Sequence, residues 1–152
     1  MTLQAVSPDR YQSPKKMARA KYPHNDQIKA LLKGCAAHVE RDGLNYLIPT
    51  WQRFADVYAD REDFIYEWLN DLDTRDIIED ILEILPEKER SEIESELKTI
   101  DSKVLEKTFE INECVCGYKR EKENKYNRHK NWYYYRMNQK IFENEEGDFT
   151  KR

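Results

Sequence analysis

The 152-residue sequence predicts a mainly α-helical protein: a small bundle of about five helices, with a short C-terminal β-hairpin or an extended aromatic segment laid over it. Three observations carry that expectation. Apolar residues recur at steps of three and four from Ile28 to Phe109, the spacing of one helix face. Gly43 and Pro86 stand where two of these runs stop. Finally, 37% of residues are charged and mean hydropathy is −0.99, yet the regular apolar spacing separates the chain from a disordered polyelectrolyte.

Element by element, residues 1–24 hold three of the five prolines, several basic residues and no apolar period, which reads as a flexible extension. Asn25 or Asp26 can accept the first free N–H groups of a helix whose face is Ile28, Leu31, Leu32, Cys35, Ala36 and Val39. Asp42-Gly43 supplies its stop, because glycine takes the left-handed conformation at little steric cost. A second helix is expected near Pro49-Thr50, with Thr50 as cap and Trp51, Phe54, Ala55 and Tyr58 on one stripe. The third begins after Asp60 and is lined by Phe64, Ile65, Trp68, Leu69 and Leu72. Asp73-Thr74-Arg75-Asp76 can cap a further helix through Ile77, Ile78, Ile81, Leu82 and Leu85, so one bent helix and two separate ones are both open. Pro86 lacks the N–H that a helix interior needs and marks a break. Beyond it Ile93, Leu97, Ile100 and Val104 form the cleanest stripe, widened by Leu105 and Phe109. The aromatic run Trp132-Tyr133-Tyr134-Tyr135 favours a half-buried strand.

A chain of this length is sufficient for one domain, assigned to residues 25–142, burying about two-thirds of its unfolded surface; residues 143–152 read as a frayed tail. No repeat of solenoid length occurs. The N-terminus shows no charged-then-apolar signal and the apolar runs are too short for a membrane span, so a cytoplasmic protein with no membrane partner is expected. Three cysteines, an odd number without an export signal, point to reduced thiols or a metal site instead of a disulfide framework.

Charge is divided along the chain. Lys and Arg against Asp and Glu give +5 for residues 1–55, −13 for residues 56–113 and +4 for residues 114–152. Much of the acidic block falls off the apolar stripes: Asp73, Asp76, Glu79, Asp80, Glu83 and Glu87 are the candidate partner-binding residues. A dense negative helical surface can steer and orient a basic protein partner, such as a toxin. In charge and size the chain is similar to the immunity proteins, small inhibitors that occupy the nucleic-acid-binding cleft of nuclease toxins, although no motif identifies that family. The plainer reading is a solvated face partly balanced by the basic ends.

The second candidate surface is basic and aromatic. Lys119, Arg120, Lys125, Arg128, Lys130 and Arg136 interleave with Trp132 and Tyr134, the composition with which proteins meet phosphates and stack on bases. Against it stand the neighbouring negative block and a pI of 5.5; the aromatics can equally pack on the helices while the cations pair with the protein's own acids. Cys35, His38, Cys114 and Cys116 match a tetrahedral zinc site in number only: Cys35 already fits an apolar stripe and no finger or ribbon spacing occurs. Buried free thiols and no cofactor are therefore expected. Cys35 with His38, three apart on a helix, is a possible reactive pair lacking any supporting motif. Asp71-x-Asp73 lacks a phosphate loop and reads as a helix terminus, and His24, His38 and His129 lack the Glu-x-x-His spacing of a di-metal bundle. The expectation is a non-enzymatic protein-binding protein, with nucleic-acid binding as the alternative.

Overall fold

The computed structural model describes residues 20–61 and 65–144. Within them the chain forms seven α-helices and one two-stranded antiparallel sheet, the mainly α architecture that the apolar spacing implies. Helix α1 spans Asp26–Leu31, α2 Ala37–Asp42, α3 Leu44–Arg53, α4 Ile65–Ile84 and α5 Glu87–Lys107. Strand β1, Phe109–Glu110, precedes α6, Tyr118–Asn124; β2, Arg136–Met137, precedes α7, Gln139–Asn144. The register pairs Phe109 with Met137 and Glu110 with Arg136.

The expected first helix is two. Asn25 caps α1, its side chain accepting from the Ile28 N–H at 3.0 Å, but Gly34 at φ +96° turns the chain before α2 begins. Gly43, at φ +55°, ends α2 as expected and also starts α3. Pro49 does not open a helix: it lies inside α3, and Thr50, expected as a cap, returns its hydroxyl to the Tyr46 carbonyl at 2.7 Å. Tertiary burial of Leu44, Leu47 and Ile48 outweighs the N–H that proline removes. After Arg53 the helix widens into one π-helical turn, Phe54–Tyr58. The Lys107 ammonium donates to the Ala55 carbonyl at 2.7 Å and the Asp56 carbonyl at 3.2 Å, serving backbone acceptors in that turn.

Helix α4 is continuous through residues 73–76, so those polar residues cap nothing. Pro86 precedes α5 at the expected break. The core joins Ile28, Leu32, Leu47, Trp51, Phe54, Trp68, Leu72, Ile78, Leu97 and Ile100. Trp51 stacks on Phe54 at 5.1 Å, and Phe54 meets Trp68 edge-on at 5.0 Å. Helices α3 and α4 pack along one another, and the C-terminal segment lies over α4.

The aromatic run is not a strand. Trp132–Tyr135 forms a 3₁₀ turn that buries Tyr133, Tyr134 and Tyr135 together, which alternation across a strand would forbid. The flanking strand residues then close on β1, and Trp68 Nε1 donates to the Arg136 carbonyl at 3.2 Å. Residues 20–24, assigned by sequence to a flexible extension, are tied to the domain: Asn45 Oδ1 accepts from the Lys21 and Tyr22 N–H groups, each at 2.8 Å, and Tyr22 donates its hydroxyl to Glu96 at 2.8 Å. Residues 1–19 and 145–152, the rest of the predicted extension and tail, lie outside the described residues; α7 itself runs two residues past Phe142.

Candidate functional site

The acidic face of α4 is largely covered by the chain itself. Asp73 accepts from Arg120 Nη2 and from the Tyr134 hydroxyl, both at 2.6 Å. Asp76 accepts from the Tyr133 hydroxyl at 2.6 Å, Asn131 Nδ2 at 3.3 Å and the Tyr126 hydroxyl at 3.4 Å. Glu79 takes Arg75 Nη1 at 2.9 Å, and Glu83 pairs with Lys130 at the surface. Burial of Tyr133 and Tyr134 is tolerable because each phenol finds a carboxylate, and burial together with those charges pushes both phenols well above their ordinary pKa. Burial alone would lower Arg120; the hydrogen bond and charge of Asp73 outweigh it and hold the guanidinium firmly protonated. Of the six candidate partner-binding residues, Asp73 and Asp76 are thus internal ligands of the C-terminal segment. Asp80 and Glu87 remain open to solvent.

The basic, aromatic segment is the other half of this arrangement. Arg128 Nη1 reaches the Ile111 carbonyl at 2.7 Å and Glu110 at 3.0 Å, and Arg136 Nε donates to the Thr108 hydroxyl at 2.8 Å. Tyr126 stacks on Tyr134 at 4.6 Å, Arg120 lies over both rings, and Trp132 meets Tyr133 edge-on at 5.5 Å. The faces of Tyr126 and Tyr134 that would receive bases are therefore engaged within the protein. Among the described residues, Lys119 and Lys125 are the cations of the predicted set left exposed without such engagement.

Cysteine and histidine are not gathered. Among the described residues no three His, Cys, Asp or Glu side chains are grouped so as to hold a metal ion, so the zinc set is not assembled. Cys114 and Cys116 are buried free thiols, with Cys116 Sγ donating to the Gly117 carbonyl at 3.8 Å; interaction between the two thiols lowers Cys114 and raises Cys116. His38 packs edge-on to Tyr46 at 4.4 Å. Burial and the nearby Glu40 carboxylate raise the Cys35 thiol, the opposite of what an activated nucleophile needs. Asp71, read as part of a helix terminus, is buried within α4.

What remains open is the corner where α4 turns into α5. Glu87 and Glu94 lie two turns apart on one face of α5, with no hydrogen bond or ion pair to either side chain among the described residues, and exposed Glu92 follows the same rule. Lys88 and Arg90 interleave with them but do not balance the surrounding carboxylates. Burial of its surroundings, then the charges of Asp76 and Glu83, push Asp80 up to about 6. Beside this corner a groove of about 400 Å³ runs between α4 and α5, floored by Leu82, Leu97, Leu105 and Trp132. Sequence reasoning missed it, because Leu105 read as stripe and Trp132 as strand. The one available signal was the seven-residue spacing of Glu87, Glu94 and Asp101, which places them on one helix face. No protein-family model, curated protein or solved structure matches the chain.

Proposed function

We propose that this chain is a non-enzymatic protein-binding protein that docks a basic partner through the acidic corner of α4 and α5, in the manner of an inhibitor of a cationic toxin. One observation carries the reading. After the internal pairs to Asp73, Asp76 and Glu79 are made, Glu87 and Glu94 on one face of α5 and Glu92 on its other side keep no hydrogen bond or ion pair among the described residues, while exposed Asp80 shares Lys130 with Glu83. Clustered like charges cost free energy in the isolated protein, and a cationic partner relieves that cost while gaining a faster encounter.

The test is capture of partners from the native cell with the tagged protein, eluted on a salt gradient, followed by kinetics on the captured species. Replacement of Glu87, Glu92 and Glu94 by Lys should slow association about tenfold or more, and raising salt from 0.05 to about 0.5 M should weaken the wild-type complex. An association rate indifferent to both changes removes the proposal.

One observation favours nucleic-acid binding as a second reading: Tyr118 is 71% exposed on α6, with Lys122 Nζ 5.7 Å from its ring centroid and Lys119 beside it. Filter retention of single-stranded RNA or DNA at low salt, lost in Tyr118→Ala, supports that reading; no retention eliminates it.

A further inference from the structure

From the groove between α4 and α5 we infer that the partner presents an amphipathic cationic helix, whose leucine-like face fills the groove while its lysines or arginines meet the carboxylates along the rim. This rests on the protein-binding reading above and specifies the chemistry that would fit it. The floor is apolar: Leu82 from α4, Leu97 and Leu105 from α5, and Trp132 from the 3₁₀ turn. Leu105 is 43% exposed and Trp132 only partly covered, so the floor is accessible. Glu94 is the unpaired carboxylate of the rim, Glu87 continues its line toward the acidic corner, and Glu79 and Asp101 share the one Arg75 guanidinium, so that cluster keeps a net negative charge. Lys98 is the opposing cation on the rim.

Charge complementarity and the state of the polar groups decide the occupant. Arg75 at the base of the groove is committed: Nε and Nη2 bond the two Asp101 oxygens at 3.2 and 3.0 Å, and Nη1 bonds Glu79 at 2.9 Å. Asp101 also takes Trp51 Nε1 at 2.8 Å. These groups are satisfied and offer little to orient a small polar ligand, which needs convergent polar groups with capacity to spare. The apolar floor instead rewards removal of hydrocarbon from water, and the rim favours positive charge around it. From Glu94 to Leu105 α5 advances about 17 Å, three helical turns, the span of a helix anchored through residues at i, i+4, i+7 and i+11.

The probe is a synthetic 14-residue peptide of Leu and Lys patterned as an amphipathic helix. Two controls are a scramble of identical composition and a version with every Leu replaced by Ser. Trp132 reports on the groove, since Trp51 and Trp68 are 0% and 1% exposed. The patterned peptide should shift Trp132 emission and bind the full chain at least tenfold tighter than either control. Leu105→Ser should remove that advantage, while Glu87→Lys with Glu94→Lys should weaken all three peptides. Equal affinity for pattern and scramble, or Leu105→Ser binding like wild type, overturns the groove assignment while leaving charge-driven docking standing. Indifference to the two Lys substitutions overturns the charge reading itself. A concentration-dependent dimer abolished by Leu105→Ser would give the groove to a second copy and overturn the proposal.

Discussion

Replacing Asp76 by Ala separates an acidic residue that holds the fold from one that only faces solvent. Its carboxylate accepts from Tyr133 at 2.6 Å and Asn131 at 3.3 Å, and these donors belong to residues only 0% and 6% exposed. Hydrogen bonds to a charged acceptor contribute about 1.5–3 kcal/mol each, and a buried donor left without a partner costs a similar amount. Against this, Ala gains up to about 0.7 kcal/mol of helix propensity within α4. The net expectation for Asp76→Ala is a loss of about 3 kcal/mol, or about 6–12 °C in Tm for a domain of this size. Asp80→Ala has the same helical gain without an orphaned donor, so it serves as the control. Urea unfolding of Asp76→Ala, Tyr133→Phe and the double variant should give a coupling of about 1.5 kcal/mol, with m unchanged. Additivity within about 0.5 kcal/mol, or an Asp76→Ala cost no larger than that of an ordinary surface change, refutes the view that folding consumes this part of the acidic block.

The Asp80 carboxyl, held at about 6 in the fold against about 3.9 unfolded, makes folding less favourable as pH rises through that window. Asp80→Asn should therefore stabilise the protein at pH 7.5 and lose its advantage at pH 4; equal effects at both values would contradict the assignment, and solvent exposure keeps the gain to a fraction of the shift. Gly43→Ala should cost more than Gly34→Ala in thermal melts: both sit at positive φ, but a Cβ at Gly43 falls 2.4 Å from His24 Nδ1 whereas that at Gly34 meets open space. Equal costs would show that backbone strain alone governs both sites. In thiol titration of the native protein Cys35 should react first and no faster than free cysteine at pH 7, with Cys114 and Cys116 modified only on unfolding. A fast native reaction at Cys114 or Cys116 would contradict their burial.

Local chemistry made several features legible. The Ile93, Leu97, Ile100, Val104 stripe, the Asn25 cap, the stop at Gly43 and the break at Pro86 each depend on neighbours within a turn or two, so residue order is enough to infer them. Where sequence reading departed from the structure, long-range contact outweighed local preference. Pro49 stays inside α3 because Leu47, Ile48 and Trp51 are buried around it, and residues 73–76 remain helical because Arg120, Tyr133 and Tyr134 supply partners to Asp73 and Asp76.

The division of charge into basic ends and an acidic middle is a property of the sequence alone, as is the helical class, since composition and apolar period do not depend on how the helices meet. Which of those charges cancel was decided only in three dimensions. Asp73 and Arg120 are 47 residues apart, and Asp76 and Tyr133 are 57 apart. Pairing at such separations follows from how the C-terminal segment folds across α4, and no local pattern encodes it. The same packing that neutralises the middle of α4 leaves the α4–α5 corner charged and sets a partly exposed Trp132 beside Leu105, creating a groove whose walls come from three parts of the chain.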